Sequence, residues 1–384
     1  MAIVAAVVGT VLIAVVLWEA FETIVLPRRV TRRISLTRLF YRCTWRPWLA
    51  LGRAVASGRR LETLLSFFGP LSLLLLLSLW AVGLIVGYAL LYWSCGTGPK
   101  IPGVDAGFFD GLYLSGTTLF TLGLGDVVPH TSIARGLAVL EAGMGLAFLA
   151  LVIGYLPALN QSFARREVSI SLLDARAGSP PSAAEMLRRH GSEHGLAALQ
   201  QLLRDWELWS SELLESHLSY PVLAYFRSQH DNQSWLAALT AILDTCALVM
   251  VGLEGACERQ AELTFAMARH AVADLSLVFL TAPREPRHNR LPPNALAELR
   301  VLLEATGLKL REGEEADEKL RTLRHMYEPY IFSLARYLNI AVPPWIPAAG
   351  RKDNWQASAW ERSPGKTRGK AQNVAAEEEG GEHF

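Results

Sequence analysis

Residues 117–129 read Thr-Thr-Leu-Phe-Thr-Leu-Gly-Leu-Gly-Asp-Val-Val-Pro, and the chemistry open to this run is carried by its main chain. Carbonyl oxygens held at fixed spacing along an extended strand can replace the water shell of a cation. All of them must face the same way. Gly123 and Gly125 make that geometry accessible, because glycine takes left-handed backbone angles that a Cβ disfavours. The expected ligand atoms are the carbonyls of Thr121, Leu122, Gly123 and Leu124, together with the Thr121 hydroxyl. The Leu122 and Leu124 side chains must then point away from the axis. Gly125 and Asp126 complete the ion-binding run.

Such a strand needs a helix behind it and walls around it. Residues 108–120 suit a short helix, with Asp110 in the first turn where a carboxylate complements the dipole. Its C-terminal end aims partial negative charge at an arriving cation, and Thr117 and Thr118 in the last turn are expected to support the strand. The chain has 384 residues, 51% of them hydrophobic, and a mean hydropathy of +0.23, too apolar on average for an ordinary soluble protein. Residues 3–26, 64–93 and 133–159 each reach the length of about 20 residues that spans a bilayer core. No basic region precedes the first run and it exceeds the apolar core of a signal peptide, so a retained helix is expected.

Ten arginines, from Arg28 to Arg60, separate the first and second apolar runs, which places that loop in the cytoplasm. The next loop holds only Lys100 with Asp105, Asp110 and Asp126; Arg165 and Arg166 follow the third run, and Arg135 is an exception. A multi-pass protein of the cell membrane follows, with its N-terminus outside, its C-terminus cytoplasmic, and Tyr88, Tyr92 and Trp93 at the outer interface. Residues 34–48 read as an interfacial helix, with Leu36, Leu39, Phe40 and Cys43 on one face and Arg38, Arg42 and Arg46 on another. A voltage sensor would need such charges inside an apolar span. With a net charge of +1, the basic cluster fits topology and anionic headgroups rather than nucleic acid.

The signature Thr-x-x-Thr-x-Gly-x-Gly-Asp-x-x-Pro, complete in Thr118, Thr121, Gly123, Gly125, Asp126 and Pro129, resembles the potassium-channel family with two membrane helices and one pore loop. The resemblance covers about residues 64–160. It implies an all-α membrane protein, a tetrameric pore-loop channel with a helical cytoplasmic domain, passing potassium passively without a cofactor. Potassium would sit at Thr121, Leu122, Gly123 and Leu124. One pore loop per chain calls for a homotetramer around a shared axis. The departure is Leu124, where most members carry Tyr or Phe; it cannot hydrogen-bond behind the filter and is expected to pack on Tyr113 or Leu114. A non-selective cation channel shares every one of these features. Gly145, 20 residues past Gly125, stands where inner pore helices carry a hinge, with close helix packing as the other reading. Glu141, one turn earlier, is a candidate pore-modulating acid, the alternative being a hydrogen bond to a neighbouring helix.

The expected organisation is an N-terminal span (1–26), a basic linker (27–63), a pore domain (64–160), a helical cytoplasmic domain (161–346) and a disordered tail (347–384). Leu196, Leu199, Leu203, Trp206 and Leu213 recur as the core face of one cytoplasmic helix, and a later helix is expected to kink at Pro329. Trp235–Gly252 is apolar enough to mimic a span, but Asp244 and the Arg269, His270 and Asp274 that follow argue for a buried soluble hairpin. His190-Gly-Ser-Glu-His194 matches a zinc-peptidase pattern, yet Gly191 and Gly195 undermine the helix it needs, so no enzyme is expected. The acids from Glu312 to Glu318 lack the spacing of a calcium loop and suit a helix start. No Gly-x-Gly-x-x-Gly turn marks a nucleotide-binding domain. Cys43, Cys95, Cys246 and Cys257 show no metal-ligand spacing; Cys95, on the outer side, is expected as a free thiol, pairing with its copy in another subunit being the alternative.

Overall fold

The structure, a computed structural model, describes residues 1–26, 36–95, 98–99, 107–191, 193–230, 232–253, 257–286, 288–347 and 353–356. Arg28, Arg29, Arg32, Arg33, Lys100 and residues 357–384 lie outside them. The chain divides into two compact units: Met1–Ala164 with Glu215–Arg227, and Arg165–Leu214 with Ser228–Phe384.

The first unit is built on α1 (Ala2–Ala20), extended by a π-helical turn at Phe21–Val25, and α4 (Phe68–Ser94). Glycines let the two helices touch: a Cβ on Gly9 would lie 2.6 Å from the Gly87 carbonyl, and one on Gly83 2.9 Å from Val16. Small residues of this kind give membrane helices the close packing that apolar burial cannot supply in lipid. Glu19 is buried at the C-terminal end of α1, where its carboxylate accepts from the Leu36 and Thr37 amides, both 3.1 Å, and the Thr37 hydroxyl at 3.0 Å. It therefore supplies negative charge at the start of α2 (Leu36–Val55). The faces of α2 differ from expectation. Tyr41, Trp45 and Gly52 are buried, while Leu36, Leu39 and Cys43 are exposed.

After α3 (Gly58–Ser66) and α4 come α5 (Phe108–Leu119) and α6 (Ser132–Ala177). A short ribbon pairs β1 (Gly98–Pro99) antiparallel with β2 (Val127–Val128), tying the segment after α4 to the segment after the glycine run. Residues 215–227 correct the expected domain plan, since they belong to this unit and not to the helical one. Tyr225 stacks on Tyr41 at 5.4 Å and meets Trp45 and Phe68, each at 5.2 Å. Tyr220 lies edge-on to Tyr155 at 5.4 Å, and Phe226 meets Phe163 at 5.6 Å, both partners being on α6. A Cβ on Gly69 would overlap the Phe226 ring at 2.6 Å, so that glycine makes the seat.

The second unit contains α7 (Ala183–Arg189), most of α8 (Glu193–Ser219), α9 (Trp235–Gly252), α10 (Glu258–Val278), α11 (Pro293–Glu304), α12 (Glu314–His325) and α13 (Glu328–Leu338). Leu199, Leu203, Trp206 and Leu213 are buried on α8. Among the described residues four helices are long and apolar enough to cross a membrane, but 89% of α9 is buried. Asp244 at its middle pairs with Arg290 at 2.6 Å and accepts from the Tyr327 hydroxyl at 2.5 Å. His270 instead faces Asp274 along α10 at 3.4 Å. Pro329 does not kink a helix. It stands in the first turn of α13, where its missing amide hydrogen costs nothing. Residues 353–356, expected in a disordered tail, are held: Asp353 pairs with Arg189 at 2.6 Å and accepts from the Ser179 amide at 3.2 Å, and the Trp355 amide donates to Asp174 at 2.8 Å.

Candidate functional site

α5 ends where the glycine run begins, and its last turn turns the chain back on itself. The Leu122 amide donates to the Thr117 carbonyl at 2.7 Å, the Gly123 amide to the same oxygen at 3.3 Å, and the Thr121 amide to Thr118 at 3.0 Å. Those bonds draw the amides of the strand toward the helix. The carbonyls of Thr121, Leu122, Gly123 and Leu124 accept no hydrogen bond from the described residues. Thr121, Gly123 and Gly125 have φ of +58°, +54° and +76°, whereas Leu122 and Leu124 do not have positive φ. Alternating handedness turns successive peptide planes so that their oxygens fall on one side, where uniform β angles would alternate them. The glycines adopt the angles expected of them. Thr121 is the addition, since a β-branched residue at positive φ is strained and gave no sign of it in sequence.

The supports differ in part from those expected. Asp110 accepts from the Gly107 amide at 2.8 Å and so closes the start of α5. The Thr117 hydroxyl donates to the Leu114 carbonyl at 3.0 Å, which spends it within the helix. Leu124 does not pack on Tyr113 or Leu114 within the protomer: it is 64% exposed, as Leu122 is 63% exposed. The Tyr113 side chain of α5 interacts with the Asp126 carboxylate, which also accepts from the Val127 amide at 3.0 Å.

At Gly145 the geometry supports the close-packing reading. A Cβ there would lie 2.1 Å from the Leu119 carbonyl, so the missing side chain lets α6 press against the end of α5. The helix runs unbroken through this point. Gly143 and Gly154, by contrast, would place a Cβ in open space. Glu141 is likewise turned into the protomer rather than onto its surface. Fully buried, it accepts from the Tyr92 hydroxyl of α4 at 2.6 Å and meets the Ser115 hydroxyl of α5 at 2.5 Å. Tyr92 and Tyr88, expected at the outer interface, are both buried, while Trp93 stays exposed.

An apolar helix pair bracketing a short helix and a run of alternating backbone handedness is a pore-loop arrangement. Residues 75–161 match the family model described as "Ion channel". Over this segment the chain is similar to an ion-channel domain. The match takes in most of α4, all of α5 and the strand, and α6 as far as Gln161. The chain is also 26% identical over 217 residues to a protein described as the uncharacterized membrane protein YdjJ of Bacillus subtilis (strain 168). That alignment covers 54% of this chain and 60% of the relative. No solved structure matches.

Outside the channel domain, the tempting motifs dissolve. The His190 ring nitrogen Nδ1 pairs with the Met186 carbonyl at 2.7 Å at the end of α7, and no group of three potential metal ligands occurs among the described residues. Asp317 pairs with Arg300 at 2.5 Å, and Glu314, Glu315 and Asp317 lie in the first turn of α12. All four cysteines are free in the protomer.

Proposed function

We propose that four copies of this chain surround one axis and pass potassium ions passively through the Thr121-Leu-Gly-Leu-Gly-Asp126 run. The observation that carries this reading is the alternation of φ along residues 121–125, with four unclaimed carbonyls at the C-terminal end of a helix. Rings of such oxygens from four subunits would stack as cages able to substitute for water around a dehydrated cation. Arginine placement supports an N-terminus outside and helical unit inside. No cofactor enters the mechanism. The second reading is a channel passing monovalent cations without discrimination, favoured by Leu124, which leaves the strand without the side-chain bond most relatives have.

Reversal potentials of the purified protein in bilayers, with potassium on one side and sodium on the other, separate the two. Gly123→Ala is expected to abolish flux. Space is not the obstacle, as no atom lies within 4 Å of the added Cβ. The obstacle is the left-handed angle, which costs a residue with a Cβ about 1–2 kcal/mol in each subunit. Wild-type conductance in that variant would overturn the filter assignment.

A further inference from the structure

Glu141 sits in a cluster whose hydrogens can be counted. The Ser115 oxygen is 2.5 Å from one Glu141 oxygen and 3.0 Å from the Ile85 carbonyl, and the Tyr92 hydroxyl is 2.6 Å from the other Glu141 oxygen. Ser115 and Tyr92 bring two hydroxyl hydrogens. An ionised Glu141 accepts only, so three contacts would compete for two hydrogens and a short oxygen–oxygen pair would be left bare. A proton on Glu141 resolves all three: the acid donates to Ser115, Ser115 donates to Ile85, and Tyr92 donates to the second acid oxygen. Among the described residues Glu141 forms no ion pair. α4 carries no charged residue, α5 carries only Asp110 at its far end, and the titratable neighbours of Glu141 are Tyr88 and Tyr92.

We infer that Glu141 and Ser115 are positioning residues of the filter, acting as a neutral clip that joins the inner helix, the pore helix and the outer helix. The inference rests on the channel reading above and adds to it a specific chemistry for holding selectivity. Ser115 lies two residues before Thr117, whose carbonyl gathers the amides of Leu122 and Gly123, so a shift of α5 passes directly into the strand. Gly145 works in the same joint, four residues beyond Glu141, by bringing α6 against the last turn of α5.

The test is the ratio of potassium to sodium permeability of the full-length protein in planar bilayers, with gel filtration to check assembly. Glu141→Gln copies the protonated acid, since its amide donates to Ser115 and its carbonyl accepts from Tyr92; it is expected to stay within about twofold of wild type. Ser115→Ala and Glu141→Ala each leave a buried group unpaired and are expected to lower the ratio about tenfold, or to stop current in an assembled protein. If Glu141→Ala fails to assemble, Ser115→Ala against Glu141→Gln decides. A wild-type ratio in Ser115→Ala, or a Glu141→Gln variant as impaired as Glu141→Ala, overturns the clip while leaving the channel reading intact. Absence of any wild-type current overturns the channel reading and the clip's role with it.

Discussion

Glu141 and Asp244 are both fully buried acids on long apolar helices, one in each unit, and the protein solves their burial in opposite ways. Asp244 on α9 is met by charge: Arg290 binds it through two nitrogens at 2.6 and 3.2 Å and also reaches Glu328 at 3.0 Å. Arg324 adds a bond to Glu328 at 3.2 Å, and both guanidinium groups lie over the Trp345 ring. Burial pushes the Glu328 carboxyl above its usual range, and Arg290 and Arg324 pull it back part of the way. Glu141 is met only by hydroxyls. A unit surrounded by water can recruit arginines from loops such as the one carrying Arg290. Among the described residues Glu141 forms no ion pair, and a neutral acid with shared hydrogens is the arrangement that remains.

The contrast is broken most forcefully at Asp244. Asp244→Ala leaves Arg290 buried with half its partners gone and is expected to destabilise the helical unit by about 3–5 kcal/mol, read as a lowered thermal midpoint in circular dichroism. Isosteric Glu141→Gln should leave that midpoint unchanged, which contrasts charge pairing with hydroxyl pairing. Next in size is Gly145→Ala, whose Cβ meets the Leu119 carbonyl at 2.1 Å. It is expected to cost about 1–3 kcal/mol and to reduce conductance, while Gly143→Ala, with open space around it, should behave as wild type in the same recordings. A mobile hinge at Gly145 would instead show altered gating with undiminished stability.

The smallest effect concerns acid. Arg188, then Arg189, hold the Glu185 carboxyl below the usual glutamate range against the pull of partial burial. A carboxyl depressed in the folded protein adds stability above its unfolded value of about 4.3, and that stability is lost as pH falls through the folded value. Glu185→Gln should therefore flatten the loss of stability below about pH 4, measured as the midpoint of unfolding across an acid series.

Much of the channel domain could be read directly, because its requirements are local. Gly123 and Gly125 are needed where the backbone turns left-handed, Asp110 falls in the turn it caps, and apolar length announces α1, α4 and α6. The strain at Thr121 was hidden, because a threonine tolerates ordinary angles and only its neighbours force it out of them. Tyr92 could pass for an interfacial anchor because its type is the same in either role. Tyr225 and Phe226 fall within the 161–346 span expected as the helical domain, and nothing nearby in sequence marks them as filling the seat at Gly69, Trp45 and Phe68.

The order of residues alone settled the things that depend on one stretch of backbone: which segments are apolar enough for lipid, where a strand may alternate its handedness, and which carboxylate begins α5. Folding in three dimensions decided what depends on groups far apart in the chain. Glu141 found Tyr92 and Ser115, Asp244 found Arg290, and Gly145 found the Leu119 carbonyl. The reason is that a side chain's chemistry is set by what desolvates and pairs with it, and those partners lie 26 to 49 positions away from Glu141 and 46 from Asp244, beyond the reach of any periodic pattern.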